Sequence, residues 1–284
     1  MGVTTRFVAP RGTDPALLAA QAAGPLLEQK GPPDQLIYAS ATVRQFLPDT
    51  SVFVARQLGL EGIPCYSIHA TCLSFLVALQ QASLLIEHGQ SERVLIVCCE
   101  LSTQSRDFRH PESAALLGDG AAAVFVEASD ANSGLSHFLQ RTWPKHAELS
   151  QIRGGGLLKH PESASAGPDD YLFEMDGERL LRVSLQKLRV FLDELFTKAG
   201  SSLEEVDWVI PHQASAAGLK LLEHLGVPQE KVVNILDRFG NCVSASIPMA
   251  LSIAQRNGDL RTGDRVLFLG SAAGMSLGAA LWNW

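Results

Sequence analysis

The chain has 284 residues, of which 46% are apolar and 19% charged, and its formal net charge is −7. This composition is typical of a globular protein and excludes a disordered or fibrous chain. The negative balance, without a run of lysine or arginine, argues against a nucleic-acid partner. The sequence also predicts no membrane span and no signal peptide at its start.

The five cysteines are irregularly spaced, at positions 65, 72, 98, 99 and 242, and no two of them have C-x-x-C spacing. An odd number without that spacing argues against a disulfide framework and against a zinc or redox motif. We therefore expect reduced thiols in a cytoplasmic protein.

Strand-like and helix-like runs alternate along the chain, which predicts an α/β fold. Four runs recur in the same order: residues 34–40 resemble 207–213, 58–60 resemble 225–227, 92–97 resemble 264–269, and 120–126 resemble 278–282. This pattern predicts a duplicated α/β unit. Glycines and a proline interrupt residues 129–157, in particular around Asn132 and at Pro144. We therefore place the halves at residues 1–140 and 141–284.

Two helices can be predicted from the pattern of apolar residues. Residues 73–88 are apolar on nearly every face and end at Gly89, which predicts a buried helix. Residues 181–199 carry an apolar stripe at helical spacing and end at Gly200.

Cys72 stands between the strand-like residues 63–68 and the buried helix. The unpaired amide groups and the dipole at a helix N-terminus favour a thiolate, which is the nucleophilic form of cysteine. The alternative interpretation is a buried, inert thiol.

His212 and Asn241 both follow strand-like runs, and Asn241 comes 169 residues after Cys72, which predicts nearly equivalent places in the two halves. Strand ends are where α/β sheets gather their ligands. Taken singly, the two residues would more often be a satisfied surface histidine and a turn asparagine. His212 has no second ligand at i+3 or i+4, so no metal site is predicted. His69, three residues before Cys72, is a candidate to line the site.

The motifs that contain these residues resemble those of β-ketoacyl-acyl-carrier-protein synthase III, in the thiolase superfamily. The resemblance spans about residues 34–284 and is carried by segments 70–72, 117–123, 211–215, 239–248 and the glycine/alanine loop 270–276. It implies a thiolase-like five-layered αβαβα fold of two pseudo-duplicated halves, usually in a homodimer.

The resemblance also implies a chemistry. Cys72 would take an acyl group from acyl-CoA or an acyl-carrier-protein thioester, and His212 and Asn241 would stabilise the enolate of a decarboxylating malonyl thioester. The backbone N–H groups of Cys72 and Ala273 would form the oxyanion hole. Neither a cofactor nor a metal is implied beyond the thioester substrates. The residues predicted to contact substrate are His69, Thr71, Ser271, Ala272 and Gly274.

Several positions depart from the family pattern. The N-terminal region is short, and we expect residues 3–8 to replace the first strand, because a missing central strand would leave its neighbours unpaired. Loss of the helical cap that usually follows predicts a more open entrance. Ala217 stands where an arginine is common, Ser271 where an aromatic residue is common, and Thr71 where alanine is usual. These changes favour specialised metabolism over housekeeping initiation.

Three alternative functions stay open at this point. The acyl group could pass to an oxygen or nitrogen acceptor, the chain could be a non-catalytic subunit of a heteromeric synthase, or water could hydrolyse the thioester.

Overall fold

The computed structural model describes residues 2–129 and 133–284, so Asn132, in the stretch predicted to separate the halves, lies outside the described residues. The strands are β1 Gln35–Ala39, β2 Cys65–Ile68, β3 Arg93–Leu101, β4 Asp119–Glu127, β5 Gly134–Thr142, β6 Ser150–Gln151, β7 Glu174–Met175, β8 Trp208–Pro211, β9 Arg265–Ala272 and β10 Ser276–Asn283. The helices are α1 Pro15–Lys30, α2 Thr50–Gln57, α3 Ser74–Glu87, α4 Pro111–Ala114, α5 Gly177–Ala199, α6 Ala216–His224, α7 Leu236–Phe239 and α8 Ser246–Asn257.

Two four-stranded sheets share a common set of three strands. The first has the order β2-β1-β3-β4 and the second β5-β10-β9-β8. The parallel pair β1 and β3 lies beside the antiparallel β4, and the parallel pair β8 and β9 lies beside the antiparallel β10. Three of the four recurring segments therefore occupy matching strands, and the fourth, 58–60 and 225–227, follows α2 and α6.

Helices separate and cover the sheets to give five layers. Helices α3 and α8 contact both sheets, α1 and α2 cover the outer face of the first, and α5 and α6 cover the outer face of the second. Alternate residues of the central strands serve different cores, because successive side chains of a strand point to opposite faces. Ile37 of β1 packs against the middle layer, whereas Leu36 and Tyr38 pack against α1 and α2. The predicted five-layered αβαβα fold is confirmed.

Strand β5 crosses the predicted division between residues 140 and 141. It pairs along its length with β10, in the second sheet. The change of sheet therefore falls between Glu127 and Gly134, before the division placed after residue 140, while the assignment of 1–140 and 141–284 as domains stays a prediction.

The N-terminal residues do not form the expected strand, so that prediction was wrong. Thr4 and Thr5 donate backbone hydrogen bonds to Asp237 O, and Phe7 stacks on Phe239. Strands β1 and β3 pair directly, so the centre of the first sheet is complete without residues 3–8. Among the described strands, β4 is one edge of the first sheet. In the second sheet the equivalent strand, β10, has a further neighbour, β5.

The two predicted helices are present with slightly different starts. Helix α3 begins at Ser74, after a 3-10 turn over Thr71–Leu73. Helix α5 begins four residues earlier than predicted, because the Asp176 side chain accepts a hydrogen bond from Arg179 N and caps it. Across the described residues, we find no helix whose length and apolar character would suit a membrane span.

Candidate active site

Two matching 3-10 turns face each other in the middle layer. Thr71–Leu73 leads into α3 and Val243–Ala245 leads into α8, and the two turns contact each other. Their first residues share a rare backbone conformation for β-branched side chains, with φ of 50° at Thr71 and 45° at Val243. The position equivalent to Cys72 is thus Ser244, and the equivalence predicted for Asn241 is corrected by three residues.

The Cys72 thiol does not ionise easily, contrary to the expectation from its place before a helix. Burial is the largest cause that raises its pKa to about 12, and a negative charge on the nearby Glu100 would add to that rise. The backbone N–H groups of Ala273 and of Cys72 itself bond to the sulfur and lower that pKa only in part. Removal of the sulfur from water therefore outweighs the helix terminus, and the free thiol is protonated at neutral pH.

His212 is held at the end of β8 with a neutral ring. Its backbone N–H donates to Leu269 O at 2.7 Å, its residue surface is 7% exposed, and burial lowers its pKa to about 4. In the described part of the chain its Nδ1 has no hydrogen-bond partner. A neutral imidazole can donate one hydrogen bond while it keeps a lone pair for a proton.

Gln213 fixes the segment that carries His212, and our sequence analysis missed it. It is fully buried; its Nε2 donates to Pro211 O at 2.9 Å and to Val233 O at 3.1 Å, and its Oε1 accepts from Ile235 N at 3.1 Å. The signal in the sequence was a polar amide directly after an apolar strand, at a place where the backbone needs partners.

Asn241 presents its amide nitrogen because its oxygen is already bound. Its Oδ1 accepts from Val243 N at 2.8 Å, and its Nδ2 is 3.5 Å from Ala214 O. Its backbone pairs with the first half: Asn241 N donates to Leu116 O at 2.7 Å, and Asn241 O accepts from Gly118 N at 3.0 Å. The loop is therefore positioned by main-chain bonds between the halves.

Gly118 and Gly240 make that pairing possible. A Cβ on Gly118 would lie 2.1 Å from Phe239 O, and one on Gly240 would lie 2.6 Å from Leu116 O. Gly240 also has φ of 69°, in the region that favours glycine. From sequence alone, Gly118 is one residue of the family segment 117–123; its contact with the Asn241 loop is visible only in the folded chain.

Cys72, His212 and Asn241 line one cavity of about 200 Å³. Cys72 belongs to the N-terminal half of the chain, and His212 and Asn241 belong to the C-terminal half. Ser271, Ala272 and Ala273 line the same cavity. Its remaining wall is largely apolar and is formed by α5, α6 and the β7 region, including Phe173, Met175, Leu180, Leu181, Leu219 and Leu222.

Three residues predicted to contact substrate are not among those that line the cavity within the described residues: His69, Thr71 and Gly274. His69 is exposed in the turn between β2 and the Cys72 turn. The Oγ1 of Thr71 is buried without a partner, and Gly274, with φ of 85°, turns the chain from β9 to β10. Their contact with substrate stays a prediction.

Comparison with known proteins gives consistent matches. Residues 66–142 match the 3-oxoacyl-[acyl-carrier-protein (ACP)] synthase III family, and residues 196–284 match its C-terminal family. The chain is 32% identical to beta-ketoacyl-[acyl-carrier-protein] synthase III 3 of Streptomyces coelicolor, over 100% of this chain and 87% of that protein.

Solved structures agree with the sequence matches. The 3-oxoacyl-[acyl-carrier-protein] synthase III of Aquifex aeolicus has a TM-score of 0.87 at 30% identity, covering 98% of this chain and 87% of that one. The OleA H285A structure from Xanthomonas campestris, 23% identical with a TM-score of 0.84 and covering 98% of this chain and 85% of that one, shares the fold. The chain therefore belongs to the 3-oxoacyl-[acyl-carrier-protein] synthase III family of acyltransferases.

Proposed function

We propose that this protein transfers an acyl group from a thioester to Cys72 and then condenses it with a malonyl thioester, with loss of carbon dioxide. One observation carries the proposal: a thiol, a neutral imidazole and a carboxamide from two halves of the chain line one cavity. Its apolar wall suits the acyl chain and pantetheine arm of a thioester.

In the first half-reaction, Cys72 Sγ bonds to the acyl carbon of the donor, and the carbon–sulfur bond of the donor breaks. The thiol proton leaves with the departing thiol. Because the pKa of Cys72 is raised to about 12, the neutral His212 ring is the group in the cavity that can accept this proton in transit. The N–H groups of Ala273 and Cys72, which bond to the sulfur in the free protein, are the donors that we propose for the oxyanion of the tetrahedral intermediate.

In the second half-reaction, the malonyl thioester loses carbon dioxide and its carbonyl oxygen gains enolate character. A neutral His212 and the Asn241 Nδ2 can both donate to that oxygen, since the Asn241 Oδ1 is already occupied by Val243 N. The enolate carbon bonds to the acyl carbon on Cys72, the bond between that carbon and the sulfur breaks, and the sulfur takes up one proton from solvent. No metal ion or cofactor takes part in this scheme.

The names of the relatives mention an acyl carrier protein, so we propose that the acyl and malonyl groups are delivered as thioesters of CoA or of an acyl carrier protein. The loop after β1 exposes Phe46 and Leu47, an apolar surface that a second copy in a homodimer would cover. The five free cysteines are consistent with a cytoplasmic location. Ala217 and Ser271 favour specialised metabolism.

Intact-protein mass spectrometry with a panel of acyl-CoA and acyl-carrier-protein thioesters tests the loading step. Wild type is expected to gain one acyl mass and Cys72→Ala none. Cys65→Ala, which removes a half-buried cysteine outside the cavity, is the matched control and should load like wild type. If no thioester loads the wild type, the proposal fails and the non-catalytic subunit becomes the better interpretation. Loading followed by release only as free acid, or by transfer to an oxygen or nitrogen acceptor, would replace the condensation step.

A further inference from the structure

Glu100 is a buried carboxyl group that the scheme above does not use. It lies near the end of β3, is 1% exposed and accepts hydrogen bonds from Ala41 N at 2.8 Å and Thr42 N at 3.0 Å. Thr42 Oγ1 also donates to it at 2.8 Å, and Ser244 Oγ is in close contact with its Oε1. Among the described residues, no lysine, arginine or histidine forms an ion pair with it.

The hydrogen-bond contacts of Ser244 are best satisfied if Glu100 carries a proton. Ser244 Oγ contacts both Ala39 O, at 3.0 Å, and Glu100 Oε1, but a serine hydroxyl has one hydrogen to donate. If that hydrogen goes to Ala39 O, the contact with Glu100 is a hydrogen bond only when the carboxyl carries its own proton. A neutral Glu100 donates to Ser244 Oγ, and all three oxygens are then satisfied.

The electrostatic surroundings favour the same state. Burial raises the pKa of Glu100 above its ordinary value, against the hydrogen bonds from Ser244, Ala41 and Thr42 that lower it. The titratable groups that face it are all acids, so none of them carries a positive charge that would stabilise a carboxylate: Tyr38, Cys72, Cys98, Cys99 and Cys242. Asp119 of β4, near Cys99 and Cys242, is an acid as well. An unpaired carboxylate in such a place is costly.

We propose that Glu100 is a positioning residue that acts as a neutral carboxylic acid, bonded through its proton to Ser244 Oγ. Because Ser244 occupies the place in the second half that Cys72 occupies in the first, this bond ties β3 to the turn that follows Asn241. The neutral state also keeps a negative charge away from the thiol. This last consequence rests on the proposed role of Cys72.

Infrared spectroscopy of the free protein tests the protonation state directly. The difference spectrum of wild type minus Glu100→Gln should contain the C=O stretch of a protonated carboxylic acid at neutral pH, and that band should disappear as the pH is raised. A carboxylate signal at neutral pH, without the acid band, would overturn the proposal.

The pH at which this band titrates in a Ser244 variant identifies whether Glu100 or Ser244 is the hydrogen-bond donor. In Ser244→Ala the acid loses its acceptor, so the band should titrate at lower pH than in wild type; if Ser244 instead donates to a carboxylate, the same change moves the titration to higher pH and refutes the proposal. Because Ser244→Ala moves the band, this variant also assigns it to Glu100 if Glu100→Gln fails to fold.

The effect on Cys72 is measured by its rate of alkylation with iodoacetamide across pH, after subtraction of the rate in Cys72→Ser. Glu100→Gln keeps the site neutral and should leave the rate near pH 7 unchanged. A charged Glu100 predicts instead that this variant lowers the pKa of Cys72, with a rate about tenfold higher for each unit of pKa. Neither measurement uses a thioester, so failure of acyl loading and failure of this proposal are distinguishable.

Discussion

Gly118→Ala perturbs the joint between the halves without touching a reacting group. The new Cβ would lie 2.1 Å from Phe239 O and 3.2 Å from Phe239 C, whereas contacts under 3.0 Å essentially never occur for real Cβ atoms. The carbonyl must therefore retreat by about 0.9 Å, from 2.1 to 3.0 Å. It belongs to the backbone and cannot rotate away, so the Asn241 loop must move with it.

A displacement of about 1 Å of a group that positions the reacting atoms costs about 100-fold in rate. We therefore expect the condensation rate of Gly118→Ala to fall about 100-fold, equivalent to about 3 kcal/mol of transition-state stabilisation. Overpacking should also lower the free energy of unfolding by about 1–3 kcal/mol. Acyl loading of Cys72 should fall less, because Cys72 lies on the other turn.

The assay compares steady-state product formation, single-turnover loading by mass spectrometry and urea unfolding. Gly24→Ala is the matched control: Gly24 lies inside α1, and its added Cβ would meet nothing within 4 Å. It should keep wild-type activity and stabilise the protein by about 0.5–1 kcal/mol. A folded Gly118→Ala variant with a condensation rate close to that of wild type would refute the proposed role of the Asn241 loop.

Three further predictions concern the second half. Burial lowers the pKa of His212 from 6.5 to about 4, so the free energy of unfolding should decline as the pH falls from 6.5 to about 4. The loss should reach about 3 kcal/mol by urea unfolding across pH, and it should be absent in His212→Gln. His212→Ala should slow acyl loading, because it removes the proposed proton acceptor, and should reduce condensation further in single-turnover assays; unchanged product formation would remove the histidine from the enolate step. Gln213→Leu should lower the free energy of unfolding by at least about 2 kcal/mol, since buried backbone groups of Val233 and Ile235 lose their hydrogen-bond partner. A melting temperature equal to that of wild type, measured by calorimetry, would contradict this prediction.

The family, the five-layered fold and the duplication were all predictable from sequence, because each rests on local patterns. Short continuous apolar runs predict the strands that became β3 and β9, and the longer apolar run before Gly89 predicts α3. The family motifs then connect Cys72, which precedes a helix, with His212 and Asn241, which follow strands. The proposed chemical roles of these three residues stay predictions.

Only the tertiary structure decided how these groups behave. The pKa of Cys72 is raised chiefly by burial, which outweighs the helix terminus beside it in sequence. The equivalence of Cys72 with Ser244, the exposure of His69 and the role of Gly118 likewise depend on segments brought together from distant parts of the chain. Desolvation and close approach are properties of everything that surrounds an atom. Sequence therefore determined which groups are available, and packing determined their charge and position.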